Sequence, residues 1–386
     1  MKIKYWFIFF TILFFVSVLF IFKSKKENTE FRAVYFSYIE FSEFITDKSD
    51  EEQKENIREV LDNIKDMNFN RIIVHVRPFS DSIYKSDYYP VSKYVLNDKG
   101  SYPDYDVLEY FVSETHKRDI KFDAWINPYR ISNLSTTDSR IYTEYSKDGS
   151  AKVTENGIYL NPASIKTQEL IINGIKEIIE NYDVDGIHFD DYFYPDKEID
   201  LELYELYVKN GGTNSLTDYR YNNVKKLIKD TYSVIKNKNG SILFGIAPQG
   251  NIDNCYEDSF LDVKEILKNN GYIDYIMPQI YFGFNNKSRP FIDTVNDWIN
   301  MIENKNIKFI PALAFYKIGT YDKYAGEGNN EWIENNDVIS REITYLKGLD
   351  KYNGFSIFSY NYMFNDKYKK EHTNNEMDLI RKELTK

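Results

Sequence analysis

Eight short apolar runs, separated by amphipathic helical patterns, recur from residue 31 to the end of this chain. That alternation constrains the fold more than any other feature. The runs are FRAVYFSY (31–38), RIIVHVRP (71–78), KFDAWINP (121–128), VDGIHFDD (184–191), ILFGIAPQ (242–249), IDYIMPQIY (273–281), KFIPALAFY (308–316) and GFSIFSY (354–360). Between them lie patterns such as EEQKENIREVLDNIKDM (51–67), SIKTQELIINGIKEIIENY (164–182) and FIDTVNDWINMIENK (291–305). Their apolar residues recur at three- and four-residue spacing, as an amphipathic helix requires. Strands that alternate with helices pair in parallel through right-handed crossovers. The simplest closed solution for eight is an α/β fold, the (β/α)8 TIM-type barrel, with a doubly wound open sheet as the alternative. The longest non-helical connections, roughly 129–163, 192–215 and 317–336, follow the third, fourth and seventh strands, whereas the αβ turns (DMNFN, HKRDI, ENYDV, KNNGY) are short. Elaborated βα loops belong to the C-terminal face of a barrel, where active sites are built.

Residues 5–22, YWFIFFTILFFVSVLFIF, stand apart from that pattern as 18 consecutive residues without a charge, with Lys2 and Lys4 before them and Lys23, Lys25 and Lys26 after. About 18–20 apolar residues suffice to span a bilayer. No small-residue cleavage site follows, so an uncleaved signal-anchor is expected, and a signal peptide cut at an atypical site is second. The expected organisation is a basic flank (1–4), one transmembrane helix (5–22), a linker (23–30) and a barrel domain (31–386). The flanking lysines nearly tie in the positive-inside count, and large domains translocate regardless of it. The expected placement is therefore the cell membrane, single-pass, with the catalytic domain extracellular.

Composition narrows the function classes. Of 386 residues, 49 are Lys or Arg and 60 Asp or Glu, and removing the five lysines of residues 1–26 takes the remainder from −11 to −16. A domain that acidic is a poor partner for nucleic acid. The lone Cys255 rules out a disulfide framework and a thiolate metal cluster. There is no G-x-S-x-G elbow, no G-x-G-x-x-G and no Walker loop. The four histidines (His75, His116, His188, His372) form no H-x-H or H-x-x-x-H pair, although a mixed His75/His188/Asp190 metal site stays open. Aromatic residues make up 17%, with tyrosines clustered at 84–94, 129–145 and 192–207 in βα regions, which suits a sugar groove.

The sharpest local feature is DVDGIHFDDYFYP (183–195). Ile187 and Phe189 alternate with His188 and Asp190, so the polar pair shares one strand face and points into a barrel. Asp190 then stands at the mouth and Asp191 begins the loop. Neighbouring buried carboxylates cannot both ionise freely, which suits acid/base or nucleophilic work; capping of backbone amides or binding a structural cation is the alternative. His75 and Arg77 alternate with Val74 and Val76. Arg77 suits recognition of a polar substrate group, or else a salt bridge to Asp190 or Asp81. Trp125 and Asn127 share a face on the third strand, to stack on and hydrogen-bond a sugar or to serve the core. Glu40 lies just past the first strand, and Gln279 and Tyr281 end the sixth.

Taken in order, FRAVYFSY, IIVHVRPFSDSIYKSDYYPVS, AWINPYR, IYLNPAS, VDGIHFDDYFYP and IDYIMPQIY resemble the glycosyl hydrolase-like 10 family. The resemblance implies a (β/α)8 glycosidase-type domain, in a group whose members include cell-wall glycosidases acting on peptidoglycan glycan strands. By motif it carries Asp190 and Asp191 over as the acidic pair, and Arg77, Asn127 and Gln279 as strand-end polar positions. The same segment is similar to the family 18 chitinase signature D-G-x-D-x-D-x-E through Asp185, Gly186 and Asp190. It departs at His188 and at Tyr192, which stands where the acid Glu belongs.

The expected function is cleavage of O-glycosidic bonds in a cell-wall polysaccharide, peptidoglycan glycan strands foremost, by two carboxylates and without cofactor or metal. Asp190 is one; its partner is Asp191, Glu40 or Asp81, in that order. Substrate contacts are expected from His75, Arg77, Asp81, Trp125, Asn127, Tyr129, His188, Tyr192, Gln279 and Tyr281. A non-catalytic sugar-binding barrel, and a metal-dependent deacetylase or amidase using His75, His188 and Asp190, are the alternatives. Expected partners are the polysaccharide and, through the N-terminal helix, a membrane, with no nucleic acid.

Overall fold

The computed structural model describes residues 30–385. In chain order their strands are β1 (Phe31–Phe36), β2 (Arg71–Arg77), β3 (Lys121–Ile126), β4 (Arg130–Ser132), β5 (Ala151–Thr154), β6 (Gly157–Leu160), β7 (Gly186–Phe189), β8 (Leu243–Ile246), β9 (Tyr275–Ile276), β10 (Lys308–Phe309), β11 (Ala312–Ala314) and β12 (Gly354–Phe358). Nine form one parallel sheet in the order β10-β9-β8-β7-β3-β2-β1-β12-β11. Its two ends, β10 and β11, are halves of a single run interrupted at Ile310–Pro311. Pro311 has no N–H to give to a ladder, so the run changes partner there, from β9 to β12. The sheet therefore curls round on itself in a TIM-like manner. The smaller sheet, β4-β6-β5, is antiparallel and lies within the long connection after β3.

The helices form where caps and apolar stripes coincide. Asp50–Asp66 starts at Ser49, whose hydroxyl takes a backbone N–H while Glu52 returns the bond, and it buries Ile57, Val60, Leu61 and Ile64. Ile165–Asn181 starts at Ser164 and buries Leu170, Ile171, Ile175 and Ile178. Strand side chains divide by alternation into two cores. Val34, Phe36, Val74, Ala124, Ile187 and Phe189 pack between sheet and helices. Ala33, Tyr35, Ile73, Trp125, Tyr275 and Met277 pack inside the curl.

The interior also holds a polar chain. Tyr35 donates its hydroxyl proton to Met277 Sδ at 3.0 Å, so its oxygen accepts from His188 Nε2 at 2.9 Å. His188 Nδ1 lies 3.0 Å from the Tyr275 hydroxyl, which also reaches Asp123 Oδ2 at 3.4 Å. Burial pushes the His188 pKa down to about 3, which keeps the ring neutral. Glycine makes room for the chain: a Cβ at Gly186 would overlap the Asp123 carboxylate, and one at Gly245 the Tyr275 ring.

Two expectations need correction. The main sheet has nine strands rather than eight, because the seventh is broken by Pro311. The transmembrane helix over 5–22, with the single-pass cell-membrane placement and extracellular catalytic domain drawn from it, is not supported. No helix among the described residues is long and apolar enough to cross a membrane; Leu216–Lys238, at 23 residues, is long enough but is interrupted throughout by charges. Residues 5–22 themselves lie outside the described residues.

Candidate active site

The strands of the main sheet end on one face, and a cavity of about 250 Å³ opens there. Its wall is built from the ends of β1, β2, β3, β7, β9 and β12: Tyr35, His75, Trp125, Asp190 with Asp191, Gln279 with Tyr281, and Phe358. Arg130 and Tyr192, from the loops after β3 and β7, complete it. A second cavity of about 610 Å³ shares Asp191, Gln279 and Tyr281 with the first and continues past Asn251, Arg289, Lys317 and Tyr324.

Asp190 is almost fully buried. Its Oδ2 accepts from Trp125 Nε1 and from Asn127 Nδ2, both at 3.0 Å. Its Oδ1 has only a long 3.4 Å contact from the Tyr192 amide. Asn127 is in turn held by the amides of Tyr129 and Arg130, which donate to its Oδ1. Burial, and then repulsion from Asp191, push the Asp190 pKa up to about 7. Burial also raises Asp191, against hydrogen bonding that includes Gln279. Two adjacent carboxyl groups in one low-dielectric site hold a shared proton up to neutral pH. The Trp125 and Asn127 donors favour the charge on Asp190, so the proton sits best on Asp191.

Arg130 is the residue that the motif reading passed over. Its Nε donates to Pro78 O at 3.1 Å, and its guanidinium lies 4.4 Å from the Phe79 ring, 5.0 Å from Tyr192 and 5.5 Å from Tyr38. It pulls the pKa values of Asp190, Asp191 and Asp81 down, against the upward push of burial. The signal lay in the sequence, since AWINPYR ends on it. Tyr35 and Phe358, which sit within the first and last apolar runs, also belong to the wall.

His75 stacks flat on Trp125, 3.7 Å between centroids and 5° apart, and neither ring nitrogen has a partner. Burial first, then Arg130 and His188, hold its pKa well below the usual value, so the imidazole is neutral. It offers one donor and one acceptor to whatever fills the cavity. Gln279 donates to Ala247 O at 3.0 Å, which fixes its amide on the shared wall. Tyr192 is 37% exposed and caps Arg130.

Other expected residues lie elsewhere. Arg77 is buried over the Tyr89 ring, at 4.4 Å, and beside Gly174 of the 165–181 helix. The β2–β3 register shifts between His75 and Arg77, so strict alternation fails there and Arg77 turns away from the cavity. Glu40 is buried but saturated: Oε2 accepts from Ser37 N at 2.7 Å and Ser37 Oγ, and Oε1 from Ser359 Oγ and Asn361 N. It does not line the cavity, and neither does Asp81, which accepts from Phe79 N at 2.9 Å. His188 lies beneath the cavity in the interior chain. Tyr129 is buried with its hydroxyl unpartnered. His75, His188 and Asp190 are not gathered as ligands: among the described residues no group of three His, Cys, Asp or Glu is placed to hold a metal ion.

Comparison with known proteins gives a consistent answer. The family model described as glycosyl hydrolase-like 10 matches residues 30–330. The glycosyl hydrolase YngK of Bacillus subtilis (strain 168) is 31% identical over 354 residues, covering 84% of this chain and 68% of that protein. The glycosyl hydrolase DigH of Escherichia coli (strain K12) is 26% identical over 342 residues, covering 81% and 76%. Among solved structures, the glycoside hydrolase domain of PgaB (BpsB) from Bordetella bronchiseptica superposes with a TM-score of 0.55 at 12% identity, covering 91% of this chain and 97% of that domain. That last likeness is one of fold.

Proposed function

The chain belongs to the glycosyl hydrolase-like 10 family and is a glycosidase, and from that premise we propose that it cleaves internal O-glycosidic bonds of peptidoglycan glycan strands, with Asp191 and Asp190 as its working carboxylates. One observation carries this reading: the two cavities of the active face meet at Asp191, Gln279 and Tyr281. A glycan laid through both puts one sugar in the smaller, aromatic cavity and the next in the larger one, with the bond between them at Asp191. A protonated Asp191 is then the general acid for the leaving oxygen. Asp190, held in one orientation by Trp125 and Asn127, carries the negative charge that the oxocarbenium-like transition state attracts. Arg130 at the cavity wall favours a glycan that bears carboxylates, as peptidoglycan does, whereas Arg289 and Lys317 farther along are paired with Asp253 and Asp322.

The test is reducing-end release by the full chain from glycan strands freed of their stem peptides. Activity that survives EDTA, and falls by about a thousandfold or more in both Asp190→Asn and Asp191→Asn, supports the reading. Unchanged turnover in either variant, or release of acetate or peptide without new reducing ends, would overturn it.

A further inference from the structure

The same cavity has a feature that two-carboxylate chemistry does not account for. Among the described residues, the acids that line it are Asp190 and Asp191 alone, and both leave the end of one strand, β7. Displacement at a sugar's anomeric carbon needs a carboxylate on the face opposite the acid, as nucleophile or as the base that activates a water, or else a nucleophile that the substrate supplies. The rest of the wall holds no third carboxylate for that role. Tyr35 is tied to His188 and Met277 and held neutral, its pKa raised far above the usual tyrosine value by burial. Tyr281 is held neutral by burial in the same way, Trp125 has only an N–H, which it gives to Asp190, and Phe358 is apolar. Glu40 and Asp81 are engaged outside the cavity.

Besides the His75 imidazole, the cavity offers a carboxylate acceptor held in one orientation and an aromatic lining. Asp190 Oδ2 is taken by its two N–H donors, while Oδ1 keeps acceptor capacity. An acetamido group on C2 of the bound sugar matches both, its N–H toward Oδ1 and its methyl against the rings. Resting on the glycosidase reading of this site, we propose that the smaller cavity takes a 2-acetamido sugar whose own carbonyl oxygen is the nucleophile, with Asp190 positioning the amide.

The chemistry balances on the residues present. The carbonyl oxygen forms a bond to C1 as the bond from C1 to the leaving oxygen breaks, and that oxygen takes the pair and the Asp191 proton. Asp190 holds the amide proton of the cyclic intermediate. Water then adds to C1, giving its proton to Asp191. The bond from C1 to the carbonyl oxygen opens and the acetamide is restored, with net retention at C1.

The experiment compares three preparations of the same glycan strands as substrates for the full chain: N-acetylated, chemically de-N-acetylated, and re-acylated with trifluoroacetyl groups, which drain electrons from the carbonyl oxygen. The expected result is reducing-end release from the first, with the second slower by about a hundredfold or more and the third by about tenfold or more, because a tethered nucleophile is lost or weakened. The thiazoline of N-acetylglucosamine, which mimics the cyclic intermediate, should inhibit, and Asp190→Asn should weaken that inhibition about tenfold, the loss of one charge-assisted hydrogen bond. A merely structural Asp190 would leave the inhibitor's affinity unchanged relative to that of product. De-N-acetylated strands cleaved as fast as acetylated ones would overturn the inference and leave the glycosidase reading standing. Release from none of the three would overturn both.

Discussion

At the scale of single residues, the acid pair ties function to a stability cost. Asp190 is raised from an ordinary carboxylate value to about 7 in the folded chain. A group raised on folding contributes stability that is present below its unfolded pKa and is lost as pH climbs through its folded pKa. The pair, which shares one proton, therefore costs stability from about pH 4 upward, and in full above about pH 7. Asp190→Asn, which keeps an oxygen for Trp125 and Asn127, should raise the melting temperature at pH 8 by a few degrees and change it little at pH 4, as calorimetry at the two pH values would report. Arg130 sets the other side of the balance. It holds both carboxylates down, so Arg130→Met should let both rise and move the alkaline limb of the kcat/KM profile up by about one pH unit. An unmoved limb would mean that the guanidinium is too well screened to matter. His75 was legible as a polar residue on an inward strand face, and the stack on Trp125 with two unpartnered nitrogens gives it a task. His75→Phe should keep the stack and lower kcat/KM about tenfold through the lost hydrogen bonds, with circular dichroism unchanged.

At the scale of elements, local rules carried far and then met tertiary overrides. Alternation placed His188 and Asp190 on one face of β7 and Trp125 with Asn127 on one face of β3, and the structure brings Asp190, Trp125 and Asn127 into one hydrogen-bonded group. The same alternation misplaced Arg77, because a one-residue irregularity in the β2–β3 pairing, invisible in composition, rotates it to the helix side. Arg77→Met should thus leave KM within about twofold, since a residue outside the cavity contributes no binding contact. Glu40 reads in sequence as a carboxylate just past a strand. In space it is the third helical residue of a capping box whose other oxygen fastens β12's end through Ser359 and Asn361. Glu40→Ala leaves several buried donors unpaired and should cost about 3 kcal/mol in chemical denaturation. Glu40→Gln should keep most of the activity. Lost turnover in a Glu40→Gln protein of normal stability would make Glu40 a reacting group after all.

At the scale of the whole molecule, both cavities and every residue in their walls belong to the unit that begins at Phe31. A protein lacking residues 1–29 should accordingly fold and keep kcat/KM within about twofold of the full chain, measured on the same glycan, because no wall residue is removed. The order of elements, the parallel pairing and the face that carries the long loops were legible in the sequence, because strand and helix periods, caps and turn lengths are local properties of adjacent residues. The family motifs were legible for the same reason. What the chain alone could not decide was which strand-end carboxylate meets which. Asp191, Gln279 and Tyr281 become the junction of two cavities only when β7 and β9 curl to one rim, and Arg130 becomes the site's cation only when three rings from separate segments close around it. Burial, and with it the raised carboxylates, is likewise a sum over the whole packed interior. The sequence by itself determined the parts and their order. Only the tertiary structure decided which of them share a low-dielectric cavity, because distance and desolvation are not encoded in any local stretch.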